Sequence, residues 1–554
     1  MRRSLSALER TVFDVVIVGG GITGACLAHD GASRGLAVAL VERCDFGGAT
    51  SAASSKILHG GIRYLQQFRF DKVRESARER GTLRRIAPHL VRRVPFLIPI
   101  EGTPLRGHWP VWAGLALYTL LGGADEPGDD LRTRSGTYLD RAALEQEAPA
   151  LAASHRFKGA LVLNEYHLHS SERMTLAFLK TAVRHGAVVA NYVTTTALVR
   201  EGTRVVGMRA RTPEGDEIRV RARITINAAG PWLPGLNEEH AVGPLRRPVT
   251  GFAQGVHIIT RQLLTDYAAA LPTSRASGAL VDRGGRHVFV IPWRGHSLIG
   301  TSNRPFRGEM SDVRPMAQDV SDLLDDVNRA MPSAHLDCDG VRHAFAGLYP
   351  LITRRIDANA YQGTGDYQIV DHERDGTAPG FVSVLGSKFT TARRVAELAM
   401  DLVCRKLGRH GTGCRSHQIS LVGSVPTVSA LRQQLRARYR DSLAAATIES
   451  LVRTYGAETD DVLRSAGGDR SLLRRLSAGR ETIEAEVVYA VEHEMAQQLS
   501  DVVFRRTGLG TLGHPGEPAL ERCATLMAAK LEWTKAHRAG QLGSTRACFP
   551  IPPA

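Results

Sequence analysis

Apolar positions in this chain follow two periods, and the change from one to the other maps its organisation. Between residues 14 and 43 (DVVIVGGGITGACLAHDGASRGLAVALVER) an apolar run at 15–18, a helically spaced stretch and a second apolar run at 38–41 predict strand, helix and strand. Strand-like runs return over 188–230, broken by turns at Glu201-Gly202 and Glu214-Gly215, and again at 255–259, 286–292 and 297–301. A final run at 381–385 enters GSKFTTARRVAELAMDLVCRKLG, which keeps a helical period to its end. Residues 104–150 follow neither period and read as irregular. A linker over 411–424 precedes residues 425–545, where patterns such as 442–455 and 482–499 are helical, so a separate helical domain is expected there.

The first strand–helix–strand unit carries Gly19, Gly21 and Gly24 in GxGxxG spacing. The first glycine admits a tight turn, the second lets the backbone approach a pyrophosphate, and the third lets the helix pack close to the strand, its N–H groups directed at the phosphates. Glu42 closes the second strand, where a carboxylate accepts from ribose hydroxyls and disfavours a 2′-phosphate. The unit predicts a bound adenine dinucleotide other than NADP.

At 554 residues the chain exceeds what one core supports, so two or three domains are expected. A composition of 43% hydrophobic and 23% charged residues is that of a globular protein and excludes a disordered one. The seven cysteines are scattered, without CxxC or paired histidine spacing, so neither a metal site nor a disulfide framework is expected, as suits a reducing cytoplasm. No apolar leader core follows MRRSLSALER, and the apolar stretch 109–121 is too short for a bilayer and broken by Gly114. Lys and Arg number 71 against 56 Asp and Glu, and the resulting charge of +15 asks for an anionic surface or substrate. The basic run from Arg69 to Arg85 is interleaved with Asp71, Glu75 and Glu79 and reads as a solvated helix face with i,i+4 pairs. No nucleic-acid motif accompanies the charge, so nucleic acid is not expected and anionic lipid is the better match.

The stretch ATSAASSKILHGGIRYL (49–65), with INAAGPW (226–232), GVHII (255–259), VFVIPW and IGTS (288–302), GSKFTT (386–391) and VEHEMAQQLSDVVFRRTGLG (491–510), resembles the FAD-dependent glycerol-3-phosphate dehydrogenases of the aerobic, quinone-linked type over nearly the whole chain. The resemblance implies an α/β fold: a FAD-binding Rossmann-like domain of the glutathione-reductase/DAAO-like type, a β-sheet substrate or cap domain and the C-terminal helical domain. The FAD-dependent oxidoreductase region would be 1–410, with FAD-binding segments at about 1–100, 155–240 and 345–410 and cap segments at about 101–154 and 241–344. Cofactor contacts are expected from Gly19, Gly21, Gly24, Glu42, Thr50, Ser51, Ser54, Ser55, Gly230, Gly386, Lys388 and Thr390. Gly386, Ser387 and Lys388 at a helix start can set N–H groups and positive charge against a flavin edge that gains negative charge on reduction.

Oxidising a secondary alcohol needs a hydride acceptor, a base for the hydroxyl proton and a cation near the oxygen. By resemblance His257 is the base, Arg63 orients the substrate and stabilises its oxyanion, and Lys388 contacts flavin or substrate anion. By itself His257 on an apolar strand reads as a core histidine, INAAGPW as a strand exit and GSKFTT as a capped helix. His59 is a second histidine, with a structural or flavin-proximal role. Glycerol 3-phosphate, a quinone and an anionic membrane surface are the expected partners, at the inner face of the cell membrane, with a homodimer left open. The alternatives are another hydroxy or amino substrate on the same flavin chemistry, and a non-catalytic FAD-binding protein.

Departures from the family cluster on the substrate side. Tyr349 in FAGLYPL and Gly365 in GTGDYQI stand at usual arginines, Asn303 at a usual aspartate, Gln254 at a usual lysine and Ala392 at a usual tyrosine. Arg304, Arg354 and Arg355 are the candidates to compensate.

Overall fold

The computed structural model describes residues 1–61, 64, 68–101, 108–122, 134–273, 287–351, 366–386 and 388–549. Val12–Val18 lies inside a sheet ordered Gln368–Asp371, Phe381–Leu385, Glu217–Asn227, Val12–Val18, Val38–Val41 and Val188–Ala190. Neighbours from Phe381–Leu385 to Val188–Ala190 run parallel, and Gln368–Asp371 closes the sheet antiparallel. Parallel strands are stable only with cover on both faces, which is why the runs at 15–18, 38–41 and 381–385 are continuously apolar. Helices Ile22–Ser33, Ser171–Arg184 and Ala392–Lys406 cover one face. Leu8 and the hairpin Thr194–Glu201 with Arg204–Arg211 cover the other.

The second sheet runs Arg304–Phe306, Gly251–Arg261, His296–Gly300, His287–Trp293, Ala268–Pro272, Val91–Glu101, Phe157–Leu168 and Ile57–Leu58. His343–Leu351 pairs with the other edge of Gly251–Arg261. Helix Ala317–Ala330 seats Val320, Leu323, Leu324 and Val327 on this sheet. Val91–Glu101, Phe157–Leu168 and most of His343–Leu351 therefore join the cap sheet, although they fall within the segments expected to bind FAD. A buried apolar run looks the same in either sheet, and only pairing register decides which one it enters. Residues 104–150 are also more regular than expected, with helices His108–Gly122 and Arg141–Glu147.

The Arg69–Arg85 stretch is helical (Phe70–Ile86), but two of its charges turn inward. Glu79 pairs with Arg393 at 2.5 Å, and Arg80 pairs with Glu165. The solvated-face reading holds for Arg74 and Arg78, which are exposed, and not for these two.

Past residue 425 come Val428–Tyr439, Ala445–Tyr455, Glu484–Glu494, Glu517–Leu531 and Lys535–Ala547. The expected 482–499 helix stops at Met495, whose φ of 55° is left-handed. This domain is fixed to the first by buried ion pairs. Glu494 accepts from Arg173 at 2.6 and 2.9 Å and from Lys180 at 2.9 Å. Asp45, just after the second strand, accepts from Arg506 at 2.7 Å through both oxygens and from Arg505 at 2.5 Å.

Burial by itself would raise the Glu494 carboxyl, and Arg173 and Lys180 more than reverse this, holding it well below the usual carboxylate range. Its stabilisation is complete above the unfolded carboxyl pKa, near 4.3, and is lost as pH falls through the acid range. Glu494→Gln leaves two buried cations without their anion and should cost about 3–5 kcal/mol at neutral pH. Denaturant melts across pH should show that loss and a shallower acid-side decline in the variant.

Candidate active site

The glycine turn is shaped by backbone meeting backbone. A Cβ on Gly24 would lie 1.9 Å from the Gly19 carbonyl oxygen, and one on Gly19, where φ is +108°, would lie 2.7 Å from that of Ala228. INAAG thus ends against the turn, with the Ala228 N–H donating to Val18 at 2.8 Å and Gly230 opening beyond it. Gly386 approaches from the third side, its missing side chain leaving room for Thr23. Gly21 caps helix Ile22–Ser33. Glu42 accepts from Gly20 N–H at 2.6 Å and Cys44 N–H at 2.9 Å. Burial raises its carboxyl, against those two donors. This turn fits the dinucleotide part of FAD, since the missing side chains let strand, helix and the end of INAAG close up so that the helix N-terminus can approach a pyrophosphate.

The serine-rich loop splits its roles. Ser51 Oγ accepts the first helical N–H, of Ile22, at 2.9 Å, so this hydroxyl stands at the helix N-terminus. Thr50 donates to the Leu348 carbonyl at 2.9 Å and so joins the loop to the cap sheet. Ser54 closes a turn on Lys56 N–H, and Ser55 leads into that lysine. The Lys56 ammonium is not free for a cofactor: it is buried on Glu172 and Ser171, each at 3.0 Å. His59, half-buried, follows the Ile57–Leu58 strand.

Lys388 and the HGGIRYL loop come together. The Lys388 ammonium lies 4.3 Å from the Tyr64 ring centre and donates to Ser76 Oγ at 2.8 Å. Burial pushes it down to about 7, with Glu75 and Glu165 opposing and Lys72 and Arg69 adding. Thr390 is buried just before helix Ala392–Lys406, which begins at the buried Ala392. Arg63 and Ser387 lie outside the described residues. Sequence reasoning missed Glu165, which accepts Gly60 N–H at 3.2 Å and bonds Arg80 and Tyr118, so it holds the glycine pair ahead of Arg63. Its signal was an acid inside the apolar run FKGALVLNEYHL.

His257 is 3% exposed, and neither ring nitrogen has a hydrogen-bond partner among the described residues. Its ring stacks on Phe345 with centres 5.2 Å apart, and Gly300 across the ladder leaves it room. Burial pushes the imidazole down to about 3, with Lys56 adding. A buried polar ring without partners is costly unless a ligand completes it.

On the Gly251–Arg261 and His343–Leu351 pair, His257 faces Phe345 and Ala253 faces Tyr349, so His257, Phe345 and Tyr349 share one face. Tyr349 donates to Asn303, so two of the departures from the family touch each other. Gln254 and Arg304 point to the opposite face. There Gln254 donates to the Arg314 carbonyl at 3.0 Å, and Arg304 pairs with Asp319 at 3.2 Å and Asp322 at 3.1 Å. Arg304 is therefore committed away from the His257 face and is no substitute for the missing arginine. Arg354, Arg355 and Gly365 lie outside the described residues.

A glycine cradle of the dinucleotide-binding kind, joined to a second sheet that carries a buried histidine, is an arrangement suited to a nucleotide-dependent oxidoreductase. The profile of the FAD dependent oxidoreductases matches residues 14–402, and that of the C-terminal domain of alpha-glycerophosphate oxidase matches 414–538. The chain is 31% identical to a glycerol-3-phosphate dehydrogenase of Synechocystis sp., over 96% of this chain and 95% of that one. It is 32% identical to glycerol-3-phosphate dehydrogenase 2 of Mycobacterium tuberculosis, over 95% and 86%. In structure it is similar to a Bacillus halodurans glycerol-3-phosphate dehydrogenase complexed with FAD, at TM-score 0.75 and 24% identity over 98% and 96% of the two chains. The chain belongs to the FAD-dependent glycerol-3-phosphate dehydrogenase family, and FAD is its cofactor.

Gly24→Ala forces helix Ile22–Ser33 off the first strand. The purified variant should lose most of its visible flavin absorbance and bind added FAD at least tenfold more weakly than wild type.

Proposed function

We propose that this protein oxidises glycerol 3-phosphate to dihydroxyacetone phosphate and passes the electrons to a membrane quinone. Relatives named for that substrate support the reading. The observation that carries it is His257: neither ring nitrogen has a partner among the described residues, so both are open to a substrate hydroxyl, and the burial that disfavours the imidazolium has to be offset by negative charge on bound flavin or substrate for the ring to hold the proton. Bound FAD supplies the acceptor for the hydride leaving the carbinol carbon. Arg63 orients the substrate and stabilises the developing oxyanion, and Lys388 balances negative charge on flavin or substrate. Gly19, Gly21, Gly24, Glu42, Thr50, Ser51, Ser54, Ser55, Gly230, Gly386 and Thr390 make up the cofactor's surroundings.

A second reading, a related hydroxy or amino substrate without phosphate, is favoured by one feature. The neutral Tyr349–Asn303 pair stands on the His257 face, and a tyrosine hydroxyl cannot grip a phosphate dianion as a guanidinium does. Hydrogen bonds to charged groups contribute roughly 1.5–3 kcal/mol each, so two lost arginines weaken phosphate binding by about a hundredfold or more. Anaerobic turnover with a soluble quinone analogue decides between them. Glycerol 3-phosphate should be oxidised with low affinity, Tyr349→Arg should lower KM at least tenfold, and His257→Gln should lower kcat by about 10²–10⁴ with flavin retained. Micromolar affinity in wild type, unimproved by the arginine, would show that the tyrosine is harmless; no turnover would leave the second reading.

Peripheral attachment to the inner face of the cell membrane is supported by an apolar surface. Phe68 and Leu120 are 79% and 83% exposed, and Phe70, Trp112 and Leu117 are partly so. The helices Phe70–Ile86 and His108–Gly122 pack together, and the first presents Arg74 and Arg78 to solvent. No described helix is long and apolar enough to cross a membrane. Cosedimentation should be stronger with anionic than with neutral vesicles, should weaken with salt and should fall severalfold in Leu120→Glu. Equal binding to both vesicles, or to neither, would count against it.

A further inference from the structure

A cavity of about 270 Å³, lined by none of the residues assigned to the active site, opens where the turn before His343–Leu351 meets the 509–514 loop of the C-terminal domain. Two arginines line it, one from each domain. Arg480 comes from the helical domain, its guanidinium steadied by the carbonyls of Leu509 at 3.3 Å, Gly479 at 3.1 Å and Leu512 at 3.0 Å. No carboxylate among the described residues pairs with it. Arg342 comes from the cap side, anchored by its backbone N–H on the Ile259 carbonyl at 2.8 Å, and its exposed guanidinium meets no acceptor among the described residues.

The two cations bear on each other: Arg480 is pushed below its ordinary range by burial and then by Arg342. Both act the same way on nearby His296 after burial. Asp339 is the acid on the cavity wall, while the His514 imidazole is engaged by Glu517 at 3.3 Å. Elsewhere at this boundary Arg173 faces Glu494 and Arg506 faces Asp45, while Arg294 donates to the Gly508 carbonyl and to Thr511, each at 3.4 Å. Here both guanidinium-bearing residues line an open cavity, and Arg480 has main-chain carbonyls as its hydrogen-bond acceptors. Like charges so placed repel, and an oxyanion between them reverses the sign of the interaction.

We propose that this cavity is a binding site for a phosphate group, held by the paired forks of Arg342 and Arg480 between the cap sheet and the C-terminal domain. Guanidinium forks match the tetrahedral oxygens of phosphate, and the volume suits inorganic phosphate or the head of a small phosphomonoester. The site is separate from the one that turns over substrate.

Calorimetric titration of the FAD-loaded enzyme with inorganic phosphate tests this. Wild type should bind saturably. Arg342→Gln, which removes no hydrogen bond within the described structure, should weaken that binding at least tenfold, and Asp339→Asn should tighten it severalfold, with flavin content and melting temperature unchanged in both. Phosphate held in the active site would persist in Arg342→Gln, so identical isotherms for wild type and variant, or no binding in wild type, would overturn the proposal. Phosphatidylcholine vesicles with and without phosphatidic acid identify the source of the group. Loss of phosphatidate-dependent binding in Arg342→Gln assigns a lipid headgroup; its retention alongside lost inorganic phosphate binding assigns a soluble ligand.

Discussion

No side chain fits where the Val12–Val18 strand turns into its helix, and much else follows from that constraint. The Gly24 Cα lies so close to the Gly19 carbonyl that a methyl group would overlap it, and Gly19 in turn meets the end of INAAG. Strand order around Val12–Val18 brings the ends of Glu217–Asn227 and Phe381–Leu385 to the same edge, as parallel strands must. Three segments distant in sequence thereby form one concave surface of backbone and small residues. Such a surface suits recognition of a dinucleotide by N–H groups and helix polarity.

The serine-rich loop carries this surface to the cap sheet. Ser51 faces the helix start and Thr50 binds the Leu348 carbonyl, so two neighbouring residues tie the nucleotide turn to the strand whose Phe345 supports His257. His257 is thus placed relative to the nucleotide turn by main-chain register, with no side-chain pairing of its own among the described residues.

Buried charge does the long-range joining. Glu165 fixes the glycine pair before Arg63, Lys56 is turned inward onto Glu172, and Asp45 and Glu494 fasten the helical domain beside the first βαβ unit. Ions removed from water are tolerated because each has a hydrogen-bonded counter-ion, and such pairs specify one docking arrangement. The apolar face of the C-terminal helices would by itself allow many.

Local pattern determined a large part of this protein. The glycine spacing, the runs at 38–41 and 381–385, Glu42 at a strand end and the helical period after 425 each depend on neighbours within a few residues, so the chain states them directly. The family motifs likewise singled out His257 and Lys388 as candidates. Tertiary structure alone decided which sheet Val91–Glu101 and Phe157–Leu168 would join, because an apolar run carries no label for its partner. It decided that Glu79 and Arg80 point inward, that Lys56 serves Glu172, and that Tyr349 meets Asn303 while Arg304 faces Asp319 and Asp322. Charge and hydrogen bonding act between atoms brought together by folding, across 46 positions for Tyr349 and Asn303 and 321 for Arg173 and Glu494, and no periodicity in the chain records those pairings.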